Sequence, residues 1–248
     1  MPTTLITGAS SGLGAEMARQ LAAQGHDLAL CARRTDRLEQ LRTEILDAHP
    51  ERTVSVRALD VNDHDAVFEV FGAFAAEFGH IDRVVVNAGL GKGQPLGTGR
   101  FDANRDTAMT NTIGALAQTE AAAGIFRAQE AGHLVMISSV SALRGMPRNI
   151  TTYAATKAFV AHLAEGFRAD VMRFPQIKVT VLYPGYIESE MSGSAASTPL
   201  MVDTATGVRA MVRAMEKEVG SALVPRWPWV AAGFALKHLP LRVARKFM

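Results

Sequence analysis

Apolar positions along this chain follow two alternating rhythms. Short runs dense in Val, Ile and Leu, such as Leu28-Ala29-Leu30 and Leu134-Val135-Met136-Ile137, are separated by longer stretches in which apolar residues return every three or four positions. A short continuous run fits a strand buried on both faces, and the longer period fits an amphipathic helix. The pattern predicts strands over 3–7, 27–32, 53–58, 82–87, 132–138, 177–183 and 221–224. It predicts helices over 12–24, 35–48, 63–78, 101–128, 152–173 and 202–218. Strand and helix in strict alternation give an α/β fold, a doubly wound seven-stranded parallel sheet with helices on both faces. The 248 residues suit one such domain over 1–224, followed by an apolar and basic C-terminal extension, 225–248.

Composition narrows the class. With 48% hydrophobic and 20% charged residues the chain reads as soluble and globular. The single cysteine, Cys31, lies in an apolar run, so no internal disulfide forms and a reducing, cytoplasmic setting is expected. No secretory signal is visible, and no run reaches the ~18 apolar residues of a membrane span. The seven His and one Cys show no metal-ligand spacing, so no metal is expected. A net charge of +2 gives no case for a nucleic-acid partner. Five Lys and Arg residues with no Asp or Glu occupy 225–248, so without that segment the charge falls from +2 to −3. Two loops stand out: the glycine-rich 89–97, and 192–199, rich in Ser and Ala, a candidate lid.

The first strand runs into Thr7-Gly8-Ala9-Ser10-Ser11-Gly12-Leu13-Gly14 and then an alanine-rich helix. Glycines there allow a tight turn and close backbone approach, and the helix N-terminus offers free N–H groups to a pyrophosphate. The sheet therefore reads as Rossmann-like. Where dinucleotide folds that bind NAD carry an acid after the second strand, this chain has Arg33-Arg34, which would hold the 2′-phosphate of NADP(H).

The fifth strand delivers Ser138-Ser139 to the carboxyl edge, and the next helix opens with Tyr153-Ala154-Ala155-Thr156-Lys157. Positions four apart share a helix face, so the phenol and the ammonium reach one pocket. A free tyrosine titrates near ~10. An adjacent ammonium and a cationic nicotinamide would lower that value and make Tyr153 a general acid or base, with Ser139 holding the substrate oxygen.

Taken together these motifs resemble the short-chain dehydrogenase/reductase superfamily in its single-domain form, over roughly residues 3 to 224. The resemblance rests on the T-G-x-x-x-G-x-G loop at Thr7, Gly8, Gly12 and Gly14, on Asn87-Ala88-Gly89, on Ser139 and on the Y-x-x-x-K of Tyr153 and Lys157. It implies that Gly8, Ser10, Ser11, Gly12, Leu13, Gly14, Arg33, Arg34, Asp60, Val61, Asn87, Ala88 and Gly89 contact the cofactor. Pro184, Gly185, Ile187 and Ser189 would flank the nicotinamide. Asn111 would hold a water in a proton relay with Tyr153 and Lys157, and Lys157 would also hold the ribose. Ser139 and Tyr153 stand fourteen apart where the family more often shows thirteen, which leaves Ser138 and Ser141 as alternatives for the serine.

The implied activity is hydride transfer between NADP(H) and a carbonyl or secondary alcohol. Leu90, Leu143, Met146, Tyr186 and Met191 point to an apolar substrate. Two other functions stay open: a 3-oxoacyl-thioester reductase, and a cofactor-binding sensor without turnover. A homodimer or homotetramer is expected. For the extension, with both tryptophans and its basic residues, three fates stay open: packing on the pocket, on a partner subunit, or on an anionic membrane surface.

Overall fold

The computed structural model describes residues 1–190 and 200–245. Its strands fall where the apolar runs predict: β1 (Thr3–Thr7), β2 (Asp27–Ala32), β3 (Val54–Ala58), β4 (Arg83–Val86), β5 (Gly132–Ile137), β6 (Ile177–Pro184) and β7 (Ser221–Val224). All pair in parallel in one sheet of order β3-β2-β1-β4-β5-β6-β7. The winding reverses between β1 and β4, and ligands bind above the carboxyl ends of strands at such a switch.

Helices α1 (Gly12–Ala23), α2 (Thr35–Ala48), α3 (His64–Phe78), α4 (Phe101–Ala108), α5 (Gly114–Gln129), α6 (Thr151–Asp170) and α7 (Thr204–Glu216) cover the sheet. Side chains along β5 alternate between two cores: Leu134 and Met136 meet Phe71, Phe74, Phe126 and Val160, whereas Val135 and Ile137 meet Met17, Leu21 and Met211. Both faces are therefore apolar, and the strand reads as a continuous run instead of an alternating one. Each such side chain contributes about 1.5–3 kcal/mol on burial.

Two elements differ from the sequence expectation. The single helix predicted over 101–128 is divided by a π-helical turn, Met109–Ile113, at which Asn111 faces inward. Gly114 ends that turn against the backbone of Val61, where a Cβ would come within 2.9 Å of the carbonyl oxygen. The extension, given no element from sequence, forms α8 (Arg226–His238) and α9 (Leu241–Ala244). Trp227 is non-helical within α8 (φ −102°, ψ 133°), so Pro228 opens its regular part, a position where proline is tolerated, and Pro240 divides the two helices.

The amino edge of the sheet carries a buried polar network. Arg83 Nη1 donates to Glu216 Oε1 at 2.6 Å and its Nε to His133 Nδ1 at 3.1 Å. His133 Nε2 meets Thr180 Oγ1 at 2.8 Å, and that hydroxyl donates onward to Val219 O at 2.6 Å. Burial, reinforced by Arg83, pushes His133 down to about 3, so it is neutral in the fold.

Candidate active site

The glycine loop is shaped by contacts that exclude side chains. Gly8 has φ of 64°, and a Cβ there would lie 2.9 Å from Ala88 Cα; at Gly14 it would lie 2.4 Å from Gly8 O. Thr7 and Asn87 lock the ends of β1 and β4 together. Asn87 Nδ2 donates to Thr7 O at 2.8 Å, and Thr7 Oγ1 accepts from the amides of Asn87 and Ala88, each at 3.0 Å. Ser11 caps α1 in an extended conformation without a side-chain cap bond, and no acid stands in the first turn. The N–H groups of Gly12, Leu13 and Gly14 thus form an anion cradle. Ser10 and Ser11 instead face Arg34, which donates to their hydroxyls at 3.3 and 2.5 Å. Arg33 is exposed beside them. At the end of β3, Asp60 Oδ1 accepts from Asn62 N at 3.0 Å, and Val61 is buried next to it.

The residues expected to react converge from β5, α6 and the π turn. Lys157 is 6% exposed, donates from Nζ to Ile137 O at 2.9 Å, and lies 5.7 Å from the Tyr153 ring centroid. The Ser139 hydroxyl accepts from Ser141 N at 3.2 Å and faces the Tyr153 phenol, whose pKa it pulls down. Ser138 is turned away, donating to Lys157 O at 2.7 Å, and Ser141 Oγ is buried without a partner among the described residues. Of the three candidate serines, Ser139 is therefore the one facing Tyr153, despite the longer spacing. Asn111 is bound to the loop after β4: Oδ1 accepts from Leu90 N at 2.7 Å, and Nδ2 donates to Leu90 O at 2.8 Å and to Thr156 Oγ1 at 3.1 Å. A side chain on Gly89 would meet Asn111 Oδ1 at 3.3 Å and Lys157 Nζ at 3.5 Å, so glycine keeps that junction open.

Burial acts on both titratable groups. Burial raises the Tyr153 phenol above its ordinary value, and Ser139 opposes this only in part. Burial also pushes Lys157 down to about 8. Desolvation disfavours the charged form of each.

Residues 2–200 match the family model for short chain dehydrogenases. The chain belongs to the short-chain dehydrogenase family. An uncharacterized oxidoreductase of Mycobacterium tuberculosis is 54% identical over 243 residues, 98% of this chain and 96% of that one. Dehydrogenase/reductase SDR family member 11 of Homo sapiens is 30% identical over 192 residues, 76% of this chain and 74% of its own. Among solved structures, a short-chain dehydrogenase from Sphingobium yanoikuyae in complex with NADPH superposes with a TM-score of 0.83 at 27% identity, covering 100% of this chain and 94% of the other. An alcohol dehydrogenase from Thermococcus sibiricus complexed with 5-hydroxy-NADP gives 0.80 at 27% identity, covering 90% and 95%. This short-chain dehydrogenase is accordingly an oxidoreductase of a nicotinamide-dependent family.

The segment after β6 crosses the same cleft. Pro184 ends the strand, Gly185 N donates to Val224 O at 2.9 Å, Ile187 bridges to Val202, and Ser189 Cβ lies 3.4 Å from where a Gly12 side chain would begin. Helix α8 of the extension packs here. Trp229 is 4% exposed and packs against Gly185, where a Cβ would come within 2.0 Å of its indole nitrogen. Its ring meets Tyr186 edge-on at 5.1 Å. Arg144 Nη1 donates to Leu236 O and Leu239 O at 2.8 and 2.5 Å, capping the last turn of α8. The inner face of the extension therefore packs on the site. Sequence reasoning assigned no role to Arg144, Arg37 or Glu190, and took Trp229 only as part of the extension's aromatic and basic make-up. Only Arg37 left a signal, lying one helical turn beyond Arg33 and Arg34. The candidate lid, 192–199, and Met191 lie outside the described residues.

Proposed function

We propose that this short-chain dehydrogenase is an NADP(H)-dependent reductase of carbonyls, or dehydrogenase of the matching secondary alcohols, acting on an apolar substrate. The convergence of Ser139, Tyr153 and Lys157 beside the glycine cradle carries the reading. A bound nicotinamide supplies or accepts the hydride. The residues fit that group: Gly8 and Gly14 let the loop fold tightly onto Ala88 and its own backbone, and the first-turn amides of α1 offer a pyrophosphate donors. Arg33 and Arg34 would face its 2′-phosphate, with Asp60 and Val61 at the adenine and Pro184, Gly185, Ile187 and Ser189 at the nicotinamide.

In the reducing direction Tyr153 donates its proton to the carbonyl oxygen as that oxygen gains charge, and Ser139 holds the same oxygen by a hydrogen bond. A phenol raised by burial is protonated at neutral pH, the form reduction requires. Lys157 stabilises the phenolate left behind and holds the cofactor ribose, while Asn111 supports the route by which the proton returns from solvent. Leu90, Leu143 and Tyr186, with Trp229, support an apolar pocket. The experiment is a panel of ketones, aldehydes and 3-oxoacyl thioesters monitored by NADPH absorbance. Oxidation with simple ketones supports this reading; oxidation with thioesters alone favours the thioester reductase; none, with tight NADPH binding, favours a sensor. Replacing both Arg33 and Arg34 by Ala should weaken NADPH far more than NADH.

The outer face of the extension supports peripheral membrane contact. Trp227 and Phe234 are 79% and 69% exposed among Arg226, Lys237, Arg242 and Arg245, with no acid. No helix among the described residues is long and apolar enough to cross a membrane. Flotation with anionic vesicles tests this, and equal recovery of full-length and 225–248-deleted protein in the soluble fraction would overturn it. Exposed Phe101, Met109 and Ile113 support the homodimer or homotetramer expectation, which light scattering reads directly.

A further inference from the structure

The side chains that would receive the cofactor's 2′-phosphate already hold an anion that belongs to the protein. Glu190, just beyond the nicotinamide segment, reaches across the cleft to the start of α2. Its Oε2 accepts from Arg34 Nη2 at 3.1 Å, and its Oε1 accepts from Arg37 Nη1 at 2.5 Å. Arg34 is at the same time bound to Ser10 and Ser11 of the glycine loop. One carboxylate thus divides its two oxygens between two guanidinium groups, as a phosphate would.

We infer that Glu190 is a specificity residue that competes with the 2′-phosphate for Arg34 and Arg37 and so sets the balance between NADPH and NADH. The inference rests on the reading that Arg33 and Arg34 face that phosphate. A dianionic phosphate entering this cluster must displace Glu190 or lie beside a like charge, and either costs affinity. The unphosphorylated dinucleotide meets no such opposition, and its ribose hydroxyl can donate to a carboxylate, the role an acid plays in NAD-binding folds. Arg37 and then Arg34 hold Glu190 down to about 2, so the competing charge persists at every working pH. The competition is a soft one. Glu190, Arg34 and Arg37 have side chains 55%, 41% and 42% exposed, and exposed ion pairs are weak and exchangeable. Arg33 forms no bond within the described residues and is the guanidinium still available to a second anion.

The test is fluorescence titration of the full-length protein with NADPH and with NADH, for the wild type, Glu190→Gln and the Arg33→Ala/Arg34→Ala double variant, each checked for folding by circular dichroism. Glu190→Gln is expected to tighten NADPH by about two- to fivefold, the size of one exposed ion pair, while NADH stays unchanged or weakens. Equal NADPH affinity in wild type and Glu190→Gln, with the double variant weakened for NADPH, would overturn the role of Glu190 alone. If the double variant also binds NADPH like the wild type, the 2′-phosphate reading fails, and the inference with it. Tightening of both dinucleotides by the same factor would also overturn the inference, because the effect would then not act through the phosphate.

Discussion

At the amino edge of the sheet Arg83, His133, Thr180 and Glu216 answer one another donor to acceptor, ending on the carbonyl of Val219. At the carboxyl edge Lys157 is equally buried but, among the described residues, bonds only Ile137 O; Ser141 Oγ and Trp229 Nε1 find no partner among them, and the Tyr153 phenol faces a serine hydroxyl. Both edges bury titratable groups in one fold, so burial by itself does not mark chemistry. What separates them is spare capacity. A network whose donors and acceptors are matched holds strands in place, while groups with unused capacity wait for a ligand.

The largest effect that could break this comparison is at Lys157. Lys157→Met should lower kcat/KM by roughly 10²–10⁴. It should also raise stability at neutral pH by about 1–3 kcal/mol, since it removes a buried, poorly compensated cation. The sign follows from a folded pKa of about 8 against an ordinary 10.5. The unfolded chain holds that proton more tightly, so the cost is present in full below pH 8 and fades as pH rises to 10.5. Denaturant melts of wild type and variant at pH 7 and 10 measure it, and the gap should narrow at the higher pH.

At the other edge the ranking of stability and activity should reverse. Glu216→Gln leaves the Arg83 guanidinium in its pocket without its anion and should cost about 1–3 kcal/mol, less than a fully buried pair because the Glu216 side chain is 41% exposed. Turnover per folded molecule should stay the same, as urea melts and assays on one preparation would show. A pH-dependent effect comes from His133, small near neutrality and growing in acid. Its folded value of about 3 lies below the unfolded 6.5, so the unfolded chain binds more protons between those limits. Stability should therefore fall as pH drops through this window, by about 1.4 kcal/mol per pH unit, and His133→Gln should flatten the slope.

Much of the fold was legible because a parallel sheet buried on both faces writes its strands as plain apolar runs; Leu134 to Ile137 is such a case. The glycine loop and the spacing of Tyr153 and Lys157 were legible for a related reason, since backbone approach and helix period constrain residue type locally. The π turn at Asn111 was not, because no local residue demands it and the packing of Gly114 on Val61 is a tertiary fact. Glu190 was hidden likewise: 156 residues separate it from Arg34, and only the fold brings them together. The raised Tyr153 came from burial, which composition around the motif does not disclose.

The most direct test of the account pairs binding with turnover in a Tyr153→Phe variant, measuring NADPH affinity by fluorescence and hydride transfer from 4-deuterated NADPH to a ketone by mass spectrometry. The account predicts NADPH affinity within about twofold of wild type and transfer slowed by roughly 10²–10⁴. Deuterium incorporation at the wild-type rate would contradict it, because the phenol proton would then have no part in the reaction.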